Sequence, residues 1–243
     1  MLKVNDLTLT YPQKSGEKHI ALNHVNLCLD DGEIAVIIGK SGCGKTSLLK
    51  AIAGLLPIDN GNIQLNGIDI TKCETKDRNL AMVSQSIALY PSMTVYDNFA
   101  MPLRAAKVPA DEIKSRVQET AKLLEIDWLL SRKPTQLSLG QQQRVALGRA
   151  LIKCADLYLF DEPFCNLDTV LREKLQLDLL SMKHILNAPI LFVTHDRREA
   201  MVLADQLIVM VDGEIRQCGK PLDIYHHPID NDVKDLVCEE SYD

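Results

Sequence analysis

Apolar positions along the chain fall into two patterns. In the first they form short, nearly unbroken runs rich in β-branched residues, at 33–38, 80–85, 157–161, 190–194 and 207–211. Such runs predict strands buried on both faces. Residues 2–10 and 20–29 alternate instead, through Val4, Leu7 and Leu9 and through Val25, Leu27 and Leu29, and predict half-buried strands, as does 63–67. In the second pattern apolar residues recur at helical spacing. Ile113, Val117, Ala121 and Leu124 give 109–125 one apolar face, with Asp111 and Glu112 in its first turn. Leu171, Leu175, Leu179, Met182 and Leu186 do the same for 171–186. Helices are also predicted over 47–53, over 138–154, and over 94–103, where Thr94 and Asp97 have capping-box spacing.

Between these elements lie the punctuating residues. Tyr11-Pro12 ends the first strand, 13–18 is a polar loop, and 54–61 is a connection containing Gly, Pro, Asp and Asn. Asp212-Gly213 predicts a hairpin between 207–211 and 214–216. The tail, 231–243, is acidic and is expected to end loosely. Buried strands separated by helices predict an α/β fold with a mostly parallel sheet covered on both faces. Residues 86–155 read as mainly helical between strand-rich flanks, which predicts an inserted helical subdomain. No internal repeat or low-complexity segment is present.

Composition narrows the class. The chain has 243 residues, 46% hydrophobic and 25% charged, enough for one large domain or two small ones with a well-filled core. Its formal net charge is −6, so it lacks the basic excess of a nucleic-acid binder. The seven cysteines are irregularly spaced and form no C-x-x-C. That argues against a disulfide framework or a zinc site and for a reducing cytosol. The N-terminus does not read as a signal peptide. No apolar run approaches the roughly 20 residues of a membrane helix, so work at a membrane is expected to go through partners.

The chemistry starts at Gly39-Lys40-Ser41-Gly42-Cys43-Gly44-Lys45-Thr46, a G-x-x-x-x-G-K-T phosphate-binding pattern between a predicted strand and a helix opening at Ser47. Glycines let backbone N–H groups turn towards an anion, and the helix N-terminus adds partial positive charge. Lys45 is the expected contact for β- and γ-phosphates, and Thr46 for Mg²⁺. Asp161 ends an apolar strand, where a carboxylate suits that cation, and Glu162 follows as a general base or water-positioning group. Ser138 and Gln141 fit a capping box, either as structure alone or as a helix end that also holds a γ-phosphate. His195 is either a surface residue or a γ-phosphate contact at a strand end. Gln85 is either a strand-ending amide or a contact to Mg²⁺ or the water. Tyr11 either closes a turn or stacks on adenine.

With these stretches in this order, the sequence closely resembles the nucleotide-binding subunits of ABC transporters over residues 1 to about 230. Gly39 to Thr46 resembles the Walker A, Gln85 the Q-loop, and Leu137-Ser138-Leu139-Gly140-Gln141 the signature. Leu157 to Glu162 resembles the Walker B with its catalytic Glu, Asn166-Leu167-Asp168 the D-loop, and His195 the switch His. The resemblance implies a P-loop NTPase (RecA-like) core over 1–85 and 156–222, with an N-terminal antiparallel β part. It also implies a helical subdomain over 86–155 carrying the signature, and a C-terminal tail over 223–243. ATP would bind Tyr11, residues 39–46 and Ser47, with Mg²⁺ held by Thr46, Gln85 and Asp161 and catalysis by Glu162, His195 and Gln85.

Segments 76–83, 88–98 and 224–228 are similar to bacterial solute-importer ATPases, nearest to maltose-type sugar importers, with polyamine and other small-solute importers close. This implies a peripheral protein at the cytoplasmic membrane face, hydrolysing ATP. It would work as a head-to-tail dimer with a second copy or a related subunit, on permease subunits served by an external solute-binding protein. A C-terminal regulatory domain, usual in those subunits, is expected to be absent or truncated. Two residues depart from the family pattern: Leu139 stands where the signature usually has Gly, and Ser84 where importers often carry Phe. The rival readings are a soluble ABC ATPase of translation or DNA repair and a regulatory cassette that binds ATP without transport. One cassette, a short helical insertion and net acidity weigh against the first. Intact Lys45, Asp161, Glu162 and His195 weigh against the second.

Overall fold

Two strands open the chain, β1 (Leu2–Pro12) and β2 (Lys18–Leu29), and pair antiparallel. Their alternation works as the sequence predicts: Leu2, Val4, Leu7 and Leu9 are buried, as are Val25, Leu27 and Leu29. The computed structural model of the chain describes residues 1–12, 18–165 and 167–238. The polar loop, save Lys18, thus lies outside the described residues, as do Asn166 and 239–243.

After β2 come β3 (Ile34–Ile38), α1 (Lys45–Ile52), β4 (Asn60–Leu65) and β5 (Ile68–Asp69). Strands β2-β1-β4-β5 form one antiparallel sheet in that order. The chain continues through β6 (Leu80–Val83), α2 (Val95–Ala105), α3 (Ala110–Leu123), α4 (Leu139–Leu151) and β7 (Leu157–Asp161). It then passes through α5 (Thr169–Leu186), β8 (Ile190–Val193), α6 (Arg197–Leu203), β9 (Gln206–Val211) and β10 (Glu214–Gly219), and closes with α7 (Pro221–His226) and α8 (Asn231–Val237). The second sheet has the order β10-β9-β3-β8-β7-β6, parallel except for β10.

Strand β3 shows why the apolar runs are unbroken. Ile34, Val36 and Ile38 face a core shared with α2, α3, α4 and α5, while Ala35 and Ile37 face a second core shared with α1 and the antiparallel sheet. Strands β7, β8 and β9 divide in the same way, with Phe160, Phe192 and Val209 on the first side and Leu159, Leu191 and Ile208 on the second. Burying each large side chain contributes about 1.5–3 kcal/mol, so both faces fix the sheet centrally. The helices of 86–155 pack on one another and continue the first core. Ile113, Val117, Ala121 and Leu124 are all buried there, on the face the sequence predicts. The architecture is the expected α/β one: a mostly parallel sheet with an antiparallel β part and a helical segment.

Three α-helices differ from expectation. The end of the chain is not loose through 231–237. Asp230 Oδ1 accepts a hydrogen bond from Val233 N at 2.9 Å, and Val233 and Val237, one turn apart, are buried. Helix α7 also lies outside the predicted set. So does α6, which starts because Asp196 Oδ1 accepts from Arg198 N at 2.8 Å and Glu199 N at 3.3 Å. Among the described residues no helix is long and apolar enough to cross a membrane.

Candidate functional site

Four neighbouring parallel strands deliver their carboxyl ends to one edge of the sheet. From β3 the chain enters the glycine-rich loop, from β8 it reaches His195, from β7 Glu162, and from β6 Gln85. Backbone bonds hold the ends level: Thr194 N donates to Ile37 O at 3.2 Å and Glu162 N to Val193 O at 3.0 Å. Ligand sites of open α/β sheets form at this position.

The loop wraps the start of α1. Gly44 is its N-cap, with φ 106°, and no side chain caps the helix or places an acid in its first turn. Helices α2, α4, α5, α6 and α8 all have side-chain caps. The free N–H groups of α1 therefore remain available to an anion, aided by the helix dipole. A Cβ at Gly44 would come within 2.4 Å of Ala21 O, so only glycine fits there. Lys45 Nζ donates to Gly39 O at 2.7 Å and Lys40 O at 2.9 Å, holding the ammonium across the loop.

One cavity of about 380 Å³ gathers most of the predicted residues. Gly39, Ser41, Gly42, Gly44, Lys45, Thr46 and Ser47 line it on the loop side, and Gln85, Glu162 and His195 complete the wall. A larger cavity of about 710 Å³ contains none of them, so here chemistry rather than volume marks the site. Glu162 Oε2 lies 3.3 Å from His195 Nδ1, and Glu162 takes a left-handed backbone, φ 51°. Asp161 Oδ1 accepts from Thr46 Oγ1 at 3.1 Å. Asp161 is buried, and burial pushes its carboxyl above the ordinary range, while the Thr46 hydrogen bond acts the other way.

The other predicted residues sit around this centre. Tyr11 does not line the cavity, but its hydroxyl is 3.2 Å from Ser47 Oγ. The Lys40 side chain points outward, with Nζ 3.8 Å from Asp232 Oδ1. Cys43 is turned into the core, with Sγ 3.8 Å from Lys45 Nζ. Asp168 caps α5, its Oδ1 accepting from Leu171 N at 3.0 Å. Ser138 and Gln141 form the predicted capping box on α4: Gln141 N donates to Ser138 Oγ and Ser138 N to Gln141 Oε1. Ser138, Leu139, Gly140 and Gln141 do not line the cavity.

The donor set suits Mg²⁺. One hydroxyl, one buried carboxylate and one amide oxygen, from Thr46, Asp161 and Gln85, are hard oxygen donors of the kind that ion prefers. No group of three His, Cys, Asp or Glu side chains converges among the described residues, which would suit a softer or fully caged ion.

Some supporting residues carry no sequence signal. Gln143 of α4 is fully buried and donates to Pro163 O at 2.8 Å, tying α4 to the residue after Glu162. Thr194 Oγ1 donates to the buried Glu199 at 2.6 Å. Gln143 stands within the polar run 141–144 and Thr194 at the end of an apolar one, and neither position tells which distant residue it bonds.

The ABC transporter family profile matches residues 22–165, which takes in the glycine-rich loop, the α4 capping box and Glu162. The chain belongs to the ABC transporter family. Among curated ABC relatives, the sn-glycerol-3-phosphate import ATP-binding protein UgpC of Psychromonas ingrahamii is 44% identical over 227 residues, covering 93% of this chain and 60% of that protein. The xylose/arabinose import ATP-binding protein XacK of Haloferax volcanii is 42% identical over 241 residues, 99% of this chain and 63% of that protein. The chain thus spans about 60% of the length of the curated relatives it matches. Among solved structures, the dimeric ATP-binding cassette MJ0796 bound to ADP and Pi superposes with TM-score 0.84 at 30% identity, covering 90% of this chain and 98% of that one. The ABC fold of the chain follows from that likeness together with the sheet order.

Proposed function

We propose that the chain is the ATP-hydrolysing subunit of an ABC solute importer. The observation that carries this reading is the convergence of Glu162 and His195 on the cavity lined by Lys45 and Thr46, with Asp161 bonded to Thr46 behind the wall. Lys45 and the free N–H groups of α1 bind the β- and γ-phosphates. Thr46, Asp161 and Gln85 would hold Mg²⁺, which when bound would neutralise phosphate charge. Glu162 accepts the proton of the attacking water, and His195 holds the Glu162 carboxylate in place. Phosphoryl transfer needs positioning and electrostatics more than covalent help, and these groups supply both.

The capping-box end of α4 is exposed and lies outside the cavity, which supports a head-to-tail pair in which each site is completed by another subunit. That subunit is a second copy or a related cassette. Permease subunits would receive the motion at the cytoplasmic membrane face, with an external solute-binding protein delivering cargo. Sugar is the favoured solute class, with polyamine and other small-solute import as the alternative. UgpC and XacK are named for different solutes yet are 44% and 42% identical to this chain, so identity in the cassette does not select between cargoes. Steady-state ATPase assays of purified protein, with Mg²⁺ and with chelator, test hydrolysis. Co-purification with membrane subunits tests transport. Mg²⁺-dependent turnover and a membrane partner are expected; nucleotide binding without turnover would overturn the proposal.

A further inference from the structure

Arg172 of α5 reaches two segments at once. Its Nη2 donates to Leu167 O at 3.2 Å, in the stretch that leads from Glu162 into α5. Its Nη1 lies 3.5 Å from Asp196 Oδ2 and its Nε 3.7 Å from Glu199 Oε1, both in the stretch that follows His195. Glu199 is only 5% exposed, and its other oxygen accepts from Thr194 Oγ1 at 2.6 Å. The same threonine oxygen accepts from Asp196 N at 3.0 Å. Thr194 and Asp196 flank His195 on either side. Glu162, His195, Arg172, Thr194 and Glu199 all line one small cavity of about 40 Å³.

A buried carboxylate needs a cation or several donors to stay charged. Burial pushes the Glu199 carboxyl up, while the Thr194 hydroxyl and the Arg172 guanidinium favour its ionised form. Arg172 is a cation within reach of both Glu199 and Asp196, and its rigid fork also takes a backbone carbonyl of the other segment.

We propose that Arg172 is a positioning residue. By bridging Leu167 to Asp196 and Glu199, it fixes the backbone after Glu162 relative to the backbone around His195. The 3.3 Å approach of Glu162 to His195 is held by that bridge. Arg172 touches neither nucleotide nor water in this scheme, and its effect on turnover rests on the ATPase reading above.

The test compares Arg172→Ala and Arg172→Lys with the unsubstituted chain, by backbone hydrogen exchange of 162–168 and 194–199, ATP affinity, and turnover. In Arg172→Ala, exchange is expected to rise in both segments together, with ATP affinity within about twofold and kcat down about tenfold or more. Arg172→Lys keeps the charge but loses the fork, and is expected to fall between the two. Faster exchange in one segment only, unchanged kcat, or a kcat loss matched by an equal loss of ATP affinity would overturn the bridge. If the unsubstituted chain showed no turnover while both segments still loosened together, the bridge would stand and the ATPase reading would fall.

Discussion

Glu162 and His195 face each other across neighbouring strand ends, with Oε2 3.3 Å from Nδ1. The contact exists because β7 and β8 are adjacent and in register, Asp161 pairing with Val193, so the residues that follow leave the sheet side by side. The left-handed turn at Glu162 aims its carboxylate into the cavity instead of along the strand. For a residue other than glycine that conformation costs about 1–2 kcal/mol, held by the surrounding structure.

If His195 orients that carboxylate, His195→Ala leaves Glu162 present but mobile. Turnover is expected to fall by about tenfold to a hundredfold, with ATP affinity changed far less. Stopped-flow nucleotide binding beside steady-state kinetics separates the two. Equal losses in both would mean that His195 acts mainly in binding.

Asp161 makes the stability of the metal-free protein depend on pH. Its carboxyl is raised by burial, so the native state keeps a proton over a window in which the unfolded chain has lost it. Stability therefore falls as pH rises through that window and is lowest above it. Asp161→Asn removes the buried charge. The variant is expected to melt at higher temperature than the unsubstituted chain at neutral pH without Mg²⁺, with the gain vanishing on the acid side of the window. It is also expected to lose stabilisation by Mg²⁺-nucleotide. Thermal scans across pH, with and without Mg²⁺-nucleotide, check both signs.

Gly148 sits at a close contact inside the helical segment. A Cβ there would lie 2.5 Å from Phe99 Cζ and 2.6 Å from Leu124 Cδ1, both in fully buried side chains. Overpacking costs about 1–3 kcal/mol, against the roughly 1 kcal/mol that alanine gains over glycine in a helix. Gly148→Ala is expected to lower Tm by a few degrees while the folded fraction binds nucleotide normally. A higher Tm would show that Phe99 and Leu124 give way freely.

Leu139 is the first residue of α4 and is 56% exposed, so the chain itself gives it little to do. Leu139→Gly costs at most about 1 kcal/mol of helix propensity and clears the helix end. Under the head-to-tail proposal, ATP-dependent association measured by sedimentation is expected to strengthen and turnover to rise. Weaker association would show that Leu139 is part of the seam rather than an obstruction.

Much of this was legible in the sequence because it is local. The residues of the glycine-rich loop follow one another, Ser138 caps Gln141 within three positions, and β3 shows its two-sided burial as an unbroken apolar run. What was not legible depends on partners far apart in the chain. Gln143 bonds Pro163, and Arg172 meets Asp196 and Glu199, through contacts fixed only once β7 and β8 pair. Short α6 and α8 escaped because seven residues hold too few apolar positions to show a period; their caps, Asp196 and Asp230, were the available signal. The outward turn of Lys40 and inward turn of Cys43 likewise cannot be read from a loop motif that specifies backbone.

In the proposed mechanism Glu162 activates water at a site where Lys45 and Thr46 already hold nucleotide. Single-turnover ATP hydrolysis by Glu162→Gln, with ATP affinity measured on the same preparation, tests it most directly. ATP binding is expected to be retained and hydrolysis to fall by about a hundredfold to ten-thousandfold. Hydrolysis at the rate of the unsubstituted chain would contradict the assignment.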